Sequence, residues 1–188
     1  MPYFTDAETR SLVRDTYGNA KPGGRAVAGP LYTPEELDGL PEDAIAHALG
    51  VGNPVRHAAL CAGEIVLDVG CGAGIDTLLA ARQVGPTGRV LALDMTPAML
   101  ERTRAQAASV GATNVELHEG LMEALPLGDD SIDVVVSNGV LNLSTRKSRT
   151  LAEMLRVLRP GGRLALADLV LSEKLPEEIV KNPTALVA

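Results

Sequence analysis

The chain has 188 residues, a formal net charge of −7 and four aromatic residues, Tyr3, Phe4, Tyr17 and Tyr32, all within the first 32 positions. That length supports one domain with a real core, which must be built from Leu, Val, Ile, Ala and Met. An acidic chain without rows of aromatics argues against a phosphate-backbone or base-stacking partner, so no nucleic acid is expected.

With 46% apolar and 22% charged residues the composition is globular rather than disordered. No apolar run approaches the roughly 18 residues of a membrane span, and MPYFTDAETR lacks the basic-then-apolar order of a signal peptide. Cys61 and Cys71 are too few for a disulfide framework or a cysteine zinc site. The expectation is a cytoplasmic protein with no membrane contact and no metal.

Residues 1–30 are polar and broken by Gly and Pro, and KPGGRAVAGP reads as a mobile loop. Thr33, Pro34 and Glu36 form a helix start: an N-cap, a proline at the first position and the acid of a capping box. Pro41 begins a second helix that Gly50 stops. From residue 64 the pattern changes to strands alternating with helices. Strands are expected at 65–69, 89–93 (ending at Asp94), 114–118, 132–137 and 163–171. Between them lie helices at 75–84 and from Thr96 and Pro97 to about 110. A further helix carries Leu151, Met154, Leu155 and Leu158 on one face and stops at Pro160, Gly161 and Gly162. Alternation of this kind implies a parallel, doubly wound sheet, and near-continuous apolar strands fit burial on both faces.

The first strand-turn-helix reads VLDVGCGAGID. Gly70, Gly72 and Gly74 permit a tight turn and close approach of a ligand to a helix N-terminus, although a plain connection would use glycines too. The dinucleotide fingerprint G-x-G-x-x-G would put a glycine where Ile75 stands. Asp68, two residues before the first glycine, would repel a pyrophosphate and suit a ligand with an ammonium group. Asp94 ends the second strand 20 residues beyond Gly74, where a carboxylate can accept two hydrogen bonds from a ribose diol. Its alternative is a charge near the next helix start. Ser137, Asn138 and Gly139 end the fourth strand on the side where open parallel sheets bind ligands. A ligand with a ribose, a cationic end and no diphosphate is S-adenosylmethionine (SAM).

Over roughly residues 50–172 the chain resembles class I SAM-dependent methyltransferases, on VLDVGCGAGID, LALDMT, LPLGDDSIDVVVSNGVLNL and VLRPGGRLALAD. It resembles the arsenite methyltransferases more closely, on TYG at 16–18, YTPEEL, LGVGNP, VGPTGRVLALDMTPAMLERTR and SNGVLNLS. The resemblance implies that Asp68, Gly70 and Gly72, with Cys71 and Gly74 in the same loop, hold the methionine part of SAM. It implies Asp94 and Met95 at the ribose and adenine edge, Leu121 and Met122 flanking the adenine, and Asn138 near the sulfonium. S-adenosylhomocysteine would be the product.

The chain departs from the arsenite enzymes in their metalloid ligands. Where that subfamily has cysteines, this chain has Val51 and Gly139, and a third would come just past Ala188. The segment 26–29 also lacks their cysteine pair. Trivalent arsenic needs soft thiolates, so arsenite is not the expected acceptor.

The expected fold is α/β, a Rossmann-like doubly wound parallel sheet with an N-terminal helical cap at 1–50, a SAM-binding part at 51–172 and a tail at 173–188. Compared with the family it would be truncated after the fifth strand. That strand would be a long apolar edge, so a second polypeptide or second copy is expected to cover it, with the tail touching the partner. The expected activity is methyl transfer to a small molecule in specialised metabolism. The alternatives are a SAM-fold subunit doing non-methylating, ring-forming chemistry, and a non-catalytic SAM-binding partner. Asn138, Asn142 and Tyr17 are the candidates at the transferred methyl. Asn142 could equally be a turn residue, and Tyr17 could equally anchor the N-terminus, although an aromatic face also stabilises a sulfonium-like cation. His47, His57 and His118 are candidate bases, each with a structural alternative.

Overall fold

The protein is described here by a computed structural model covering residues 4–23 and 25–186; Tyr3 lies outside the described residues. The N-terminal part is a cap of helices: α1 (Asp6–Gly18), α2 (Arg25–Leu31), α3 (Pro34–Leu37), α4 (Glu42–Ala46) and α5 (Pro54–His57). The segment KPGGRAVAGP is therefore not a loop throughout, since α2 begins at Arg25. α1 starts in a capping box, with Thr5 accepting from the Glu8 N–H at 3.3 Å and Glu8 accepting from the Thr5 N–H at 2.8 Å. Thr33 and Glu36 form the same reciprocal pair at the start of α3, as expected. α2 is held by tertiary packing: Ala28 and Tyr32 are buried in the core, and packing outweighs the local weakness of Gly29 and Pro30.

The rest alternates β1 (Ile65–Val69), α6 (Ile75–Val84), β2 (Arg89–Asp94), α7 (Pro97–Ser109), β3 (Val115–Glu119) and β4 (Ile132–Asn138). A 3₁₀ turn (Leu141–Leu143), α8 (Lys147–Val157), β5 (Leu158–Ala167) and two short helices, α9 (Glu177–Val180) and α10 (Pro183–Leu186), complete it. The five strands form one sheet in the order β3-β2-β1-β4-β5, with every pair parallel.

Strand alternation sorts the core into two layers. Val66, Val90, Val134 and Val136 pack with α6 and the cap. Leu67, Val69, Leu91, Leu93 and Val135 pack with Met154 and Val157 of α8. Two boundaries differ from expectation. Leu158 is not the last face residue of α8 but the first of β5, paired with Ile132 ahead of a bulge, and Leu155 is exposed. β5 ends at Ala167 rather than 171, because pairing with β4 stops at Asn138. Leu169, Val170 and Leu171 lie exposed beyond it.

Arg163 on β5 ties the cap to the sheet. Its guanidinium donates to both Glu64 carboxylate oxygens at 2.7 Å, to the Ala59 carbonyl at 2.6 Å and to the Ala58 carbonyl. The pair holds the Glu64 carboxyl below its ordinary range. Arg163→Met should cost about 2–3 kcal/mol, the loss of a partly buried charge-assisted pair. It should appear as a lower urea midpoint with an unchanged slope.

Candidate active site

The carboxyl ends of β1, β2 and β4 open into a cleft. It lies where the strand order reverses between β1 and β4, the position at which open α/β sheets hold ligands. α1 covers one side through Thr9, Arg10, Val13 and Tyr17.

The 70–74 turn forms the floor. The Gly70 and Cys71 N–H groups donate to the Leu93 carbonyl at 2.8 and 3.0 Å, and the Thr103 hydroxyl donates to the Gly72 carbonyl at 2.8 Å. Gly70 has φ +77°, and a Cβ there would lie 2.5 Å from Val140 Cγ1. Gly72 has φ +54° and nothing within 4 Å of where its Cβ would stand, so its backbone borders open space. That cradle fits a ligand approaching the backbone closely.

Asp94 sits at the end of β2 with both carboxylate oxygens oriented by the backbone. One accepts from the Gly72 N–H at 3.0 Å and the other from the Thr96 N–H at 2.9 Å. Burial raises its titration, and these N–H groups oppose the rise. The arrangement leaves lone pairs on a fixed carboxylate at the cleft, as a ribose diol requires.

The second acidic element differs from expectation. Asp68 is 2% exposed, accepts from the Thr77 hydroxyl at 2.6 Å and stands behind the cleft wall rather than among its lining residues. Asp76, at the second position of α6, lines the cleft instead. It accepts from the Tyr32 hydroxyl at 2.8 Å and from the Asn138 amide at 2.8 Å. Burial pushes both carboxyls up, Asp68 further than Asp76, because Asp76 has two donors and Asp68 also feels the Asp76 charge.

Asn138 lines the cleft, but its side chain is engaged by the protein. Its Oδ1 accepts from the Val51 and Gly52 N–H groups at 2.8 and 3.1 Å. Its Nδ2 donates to the Gly52 carbonyl at 2.8 Å, to Asp76, and to the Tyr32 oxygen at 3.2 Å. Gly50 beside it is obligatory, since a Cβ there would lie 2.3 Å from Asn138 Nδ2.

Of the residues singled out in the sequence, Tyr17, Gly70, Cys71, Gly72, Asp94, Met95, Leu121, Met122 and Asn138 come together around the cleft. Asp68, Gly74 and Asn142 are not among its lining residues. Gly74 caps α6 at φ +94° against Thr103. Asn142 sits in the 3₁₀ turn, where its N–H donates to Asp168 at 3.1 Å. The histidines lie elsewhere. His47 is buried between Asp43 and Arg102, His57 is exposed, and His118 is on β3. Asp76 is not among the residues the sequence singles out, and Tyr32 enters only as one of the cap aromatics that a site could use. An acid in the first turn of a helix is already accounted for by the helix dipole, which hid Asp76. The confinement of aromatics to the cap was the available signal for Tyr32.

Gly139 lines the cleft and has Val51 as a neighbour: a Cβ on Gly139 would lie 3.6 Å from Val51 Cγ1. Cys61 is exposed and remote from the lining, while Cys71 is 6% exposed with its thiol pushed well up by burial and by Asp68 and Asp94. Among the described residues no group of three His, Cys, Asp or Glu is placed to hold a metal ion, and no helix is long and apolar enough to cross a membrane.

A family model for a methyltransferase domain matches residues 60–187. An arsenite methyltransferase of Halobacterium salinarum is 38% identical over 95% of this chain and 52% of its own length. The ubiquinone/menaquinone biosynthesis C-methyltransferase UbiE of Hahella chejuensis is 42% identical over 65% of this chain and 49% of its own. The crystal structure of CrArsM, an arsenic(III) SAM methyltransferase from Chlamydomonas reinhardtii, matches with a TM-score of 0.64 at 35% identity, over 88% of this chain and 55% of that one. The chain thus spans about half the length of these relatives.

The buried acids make the stability of the ligand-free protein depend on pH. A carboxyl whose folded titration lies above its unfolded value of about 3.9 binds a proton in the folded state first. Its stabilising contribution is therefore full at low pH and is lost as pH rises through the raised value. The thermal midpoint should fall as pH rises from about 5 to about 8. Asp68→Asn should flatten that slope and gain about 1.4 kcal/mol at the alkaline end for each pK unit removed.

Proposed function

The chain belongs to the class I SAM-dependent methyltransferases, close to the arsenite enzymes, and from that membership we propose that it methylates a small molecule other than arsenite. SAM supplies an electrophilic methyl group on a sulfonium, which an acceptor takes by in-line displacement, leaving S-adenosylhomocysteine. The chain's own residues bind, orient and exclude water, and no covalent enzyme step is needed.

The observation that carries the assignment of the cofactor's place is Asp94, fixed by the Gly72 and Thr96 N–H groups beside the open Gly72 cradle. In this reading Asp94 takes the ribose diol, and Met95, Leu121 and Met122 border the adenine. The backbone of Gly70, Cys71 and Gly72 lies along the methionine part. Asp68 and Gly74 shape that turn from behind. Asn138 acts by holding the 50–52 segment rather than by touching the methyl group. Tyr17 packs with Val13, Met95 and Leu143 and offers an aromatic face at the cleft.

Leu49, Val140 and Leu143 give the remaining wall an apolar lining, suited to a small organic acceptor. The arsenite reading is disfavoured by the Val51 and Gly139 juxtaposition, which presents a methyl group and a backbone where paired thiolates would be needed. Cys71 supplies no thiolate, because burial keeps its proton on. We also propose a partner over β5, an edge strand with Leu166 exposed and followed by Val170 at 90% exposure. A place in cytoplasmic specialised metabolism completes the proposal.

Titration calorimetry should show SAM binding. Asp94→Ala should weaken it about 100-fold, the loss of two charge-assisted hydrogen bonds worth about 3 kcal/mol together. With methyl-labelled SAM, the product should carry the label; unlabelled product at full turnover would overturn methyl transfer in favour of ring-forming chemistry. Arsenite should gain no label. A strictly monomeric chain at high concentration, with full activity alone, would remove the partner.

A further inference from the structure

Asp76 presents a problem that the protein does not solve by itself. Its carboxyl is 5% exposed, lines the cleft and receives two neutral donors, the Tyr32 phenol and the Asn138 amide. Among the described residues no Lys or Arg is paired with it. Its charged surroundings are acidic: Asp68 on β1, with Asp94 beyond it on β2, and Glu36 on α3, which is itself paired with Arg56 of α5. A buried carboxylate without a cation is costly unless a cation arrives from outside. In a SAM site the cation available to the methionine end is the α-ammonium.

We infer that Tyr32 is a positioning residue for the cofactor, its hydroxyl orienting the Asp76 carboxylate toward the ammonium end of SAM. This rests on the placement of SAM proposed above. Tyr32 follows α2 in the cap and reaches 44 residues along the chain to one carboxylate oxygen at 2.8 Å. Asn138, from β4, fixes the other oxygen at 2.8 Å and meets the phenol oxygen at 3.2 Å. Cap, sheet and helix α6 are thereby joined at one carboxylate, and each oxygen keeps a lone pair for a ligand. The phenol also favours the ionised acid, opposing the rise that burial imposes on it.

The test is the pH dependence of SAM binding, read by calorimetry from about pH 5.5 to 7.5, below the range in which an α-amino group loses its proton. The Asp76 carboxylate must be ionised to hold the ammonium, so wild-type affinity falls toward acid. Tyr32→Phe keeps the ring packing and removes the donor. It should move that acid limb to higher pH, weakening SAM roughly 10-fold near pH 7, the lower end expected for one lost hydrogen bond to a charged group. Asp76→Asn should bind weakly with the limb abolished. 5′-Methylthioadenosine, which has the ribose and adenine but no ammonium, should bind wild type and Tyr32→Phe equally at every pH. Replacing Tyr32 alone with 3,5-difluorotyrosine, a stronger donor, should move the limb the opposite way.

Unchanged SAM affinity in Tyr32→Phe, or an equal loss at all pH values, overturns the proposal and leaves Tyr32 a packing residue. An unmoved limb in the fluorinated chain does the same. Failure of wild type to bind either SAM or methylthioadenosine would instead overturn the cofactor placement itself.

Discussion

The side chain of Asn138 is spent on the protein, and the site takes its shape from that. One primary amide reads the backbone of Val51 and Gly52 in both directions, and its NH₂ group also reaches Asp76 and Tyr32. A carboxylate in its place could not donate to Asp76, and a lysine could not accept from the 51 and 52 N–H groups. Donor and acceptor on one short, rigid group are what the junction requires. Because the amide sits at the end of β4, the end of the sheet and the mouth segment of the cap are set by the same hydrogen bonds. Gly50 follows from this, since no side chain fits between the segment and the amide.

The same junction explains how an acidic pocket persists. Asp68, Asp76 and Asp94 converge on one apolar sheet end, and burial raises the titration of all three. Each is answered by a different neutral donor set: a threonine hydroxyl for Asp68, a phenol and an amide for Asp76, two backbone N–H groups for Asp94. Neutral donors orient a carboxylate without cancelling its charge. Ionised, the two acids that line the cleft, Asp76 and Asp94, attract a cation and repel a phosphate, which separates SAM from the dinucleotides that use the same sheet.

The sheet was legible in the sequence because its signals are local. Apolar runs bounded by Gly, Pro and Asp mark β1, β2 and β4, and the spacing from the glycine turn to Asp94 marks one binding position. The errors arise where a boundary is decided by a partner. β5 ends where β4 stops offering hydrogen bonds, and Leu158 leaves α8 because Ile132 pairs with it. α2 forms around buried Ala28 despite its glycine and proline. Asn138 lines the cleft, but its hydrogen bonds run to atoms 62 to 106 residues distant, which no spacing encodes. Asp76 and Asp68 differ by eight positions, and only the twist between strand and helix decides which one lines the cleft.

The division of labour in the site follows from the chemistry it must serve. Methyl transfer from a sulfonium needs a fixed electrophile and a dry, aligned approach, and it asks little of acid or base groups. The three histidines lie outside the cleft lining, and Arg10 and Glu123 stand at its rim facing each other at 4.0 Å. The polar groups that remain include Asp76, Asp94 and Asn138, while Leu49, Val140, Leu143 and Tyr17 supply apolar surface. The aromatic asymmetry of the chain then has a physical sense. The sheet needs only aliphatic residues to pack, whereas the cap reaches the Asp76 carboxylate through Tyr32 and lines the cleft with the ring of Tyr17. Tyrosine does both, with a rigid ring that costs little entropy to order and a polar tip that finds its acceptor inside.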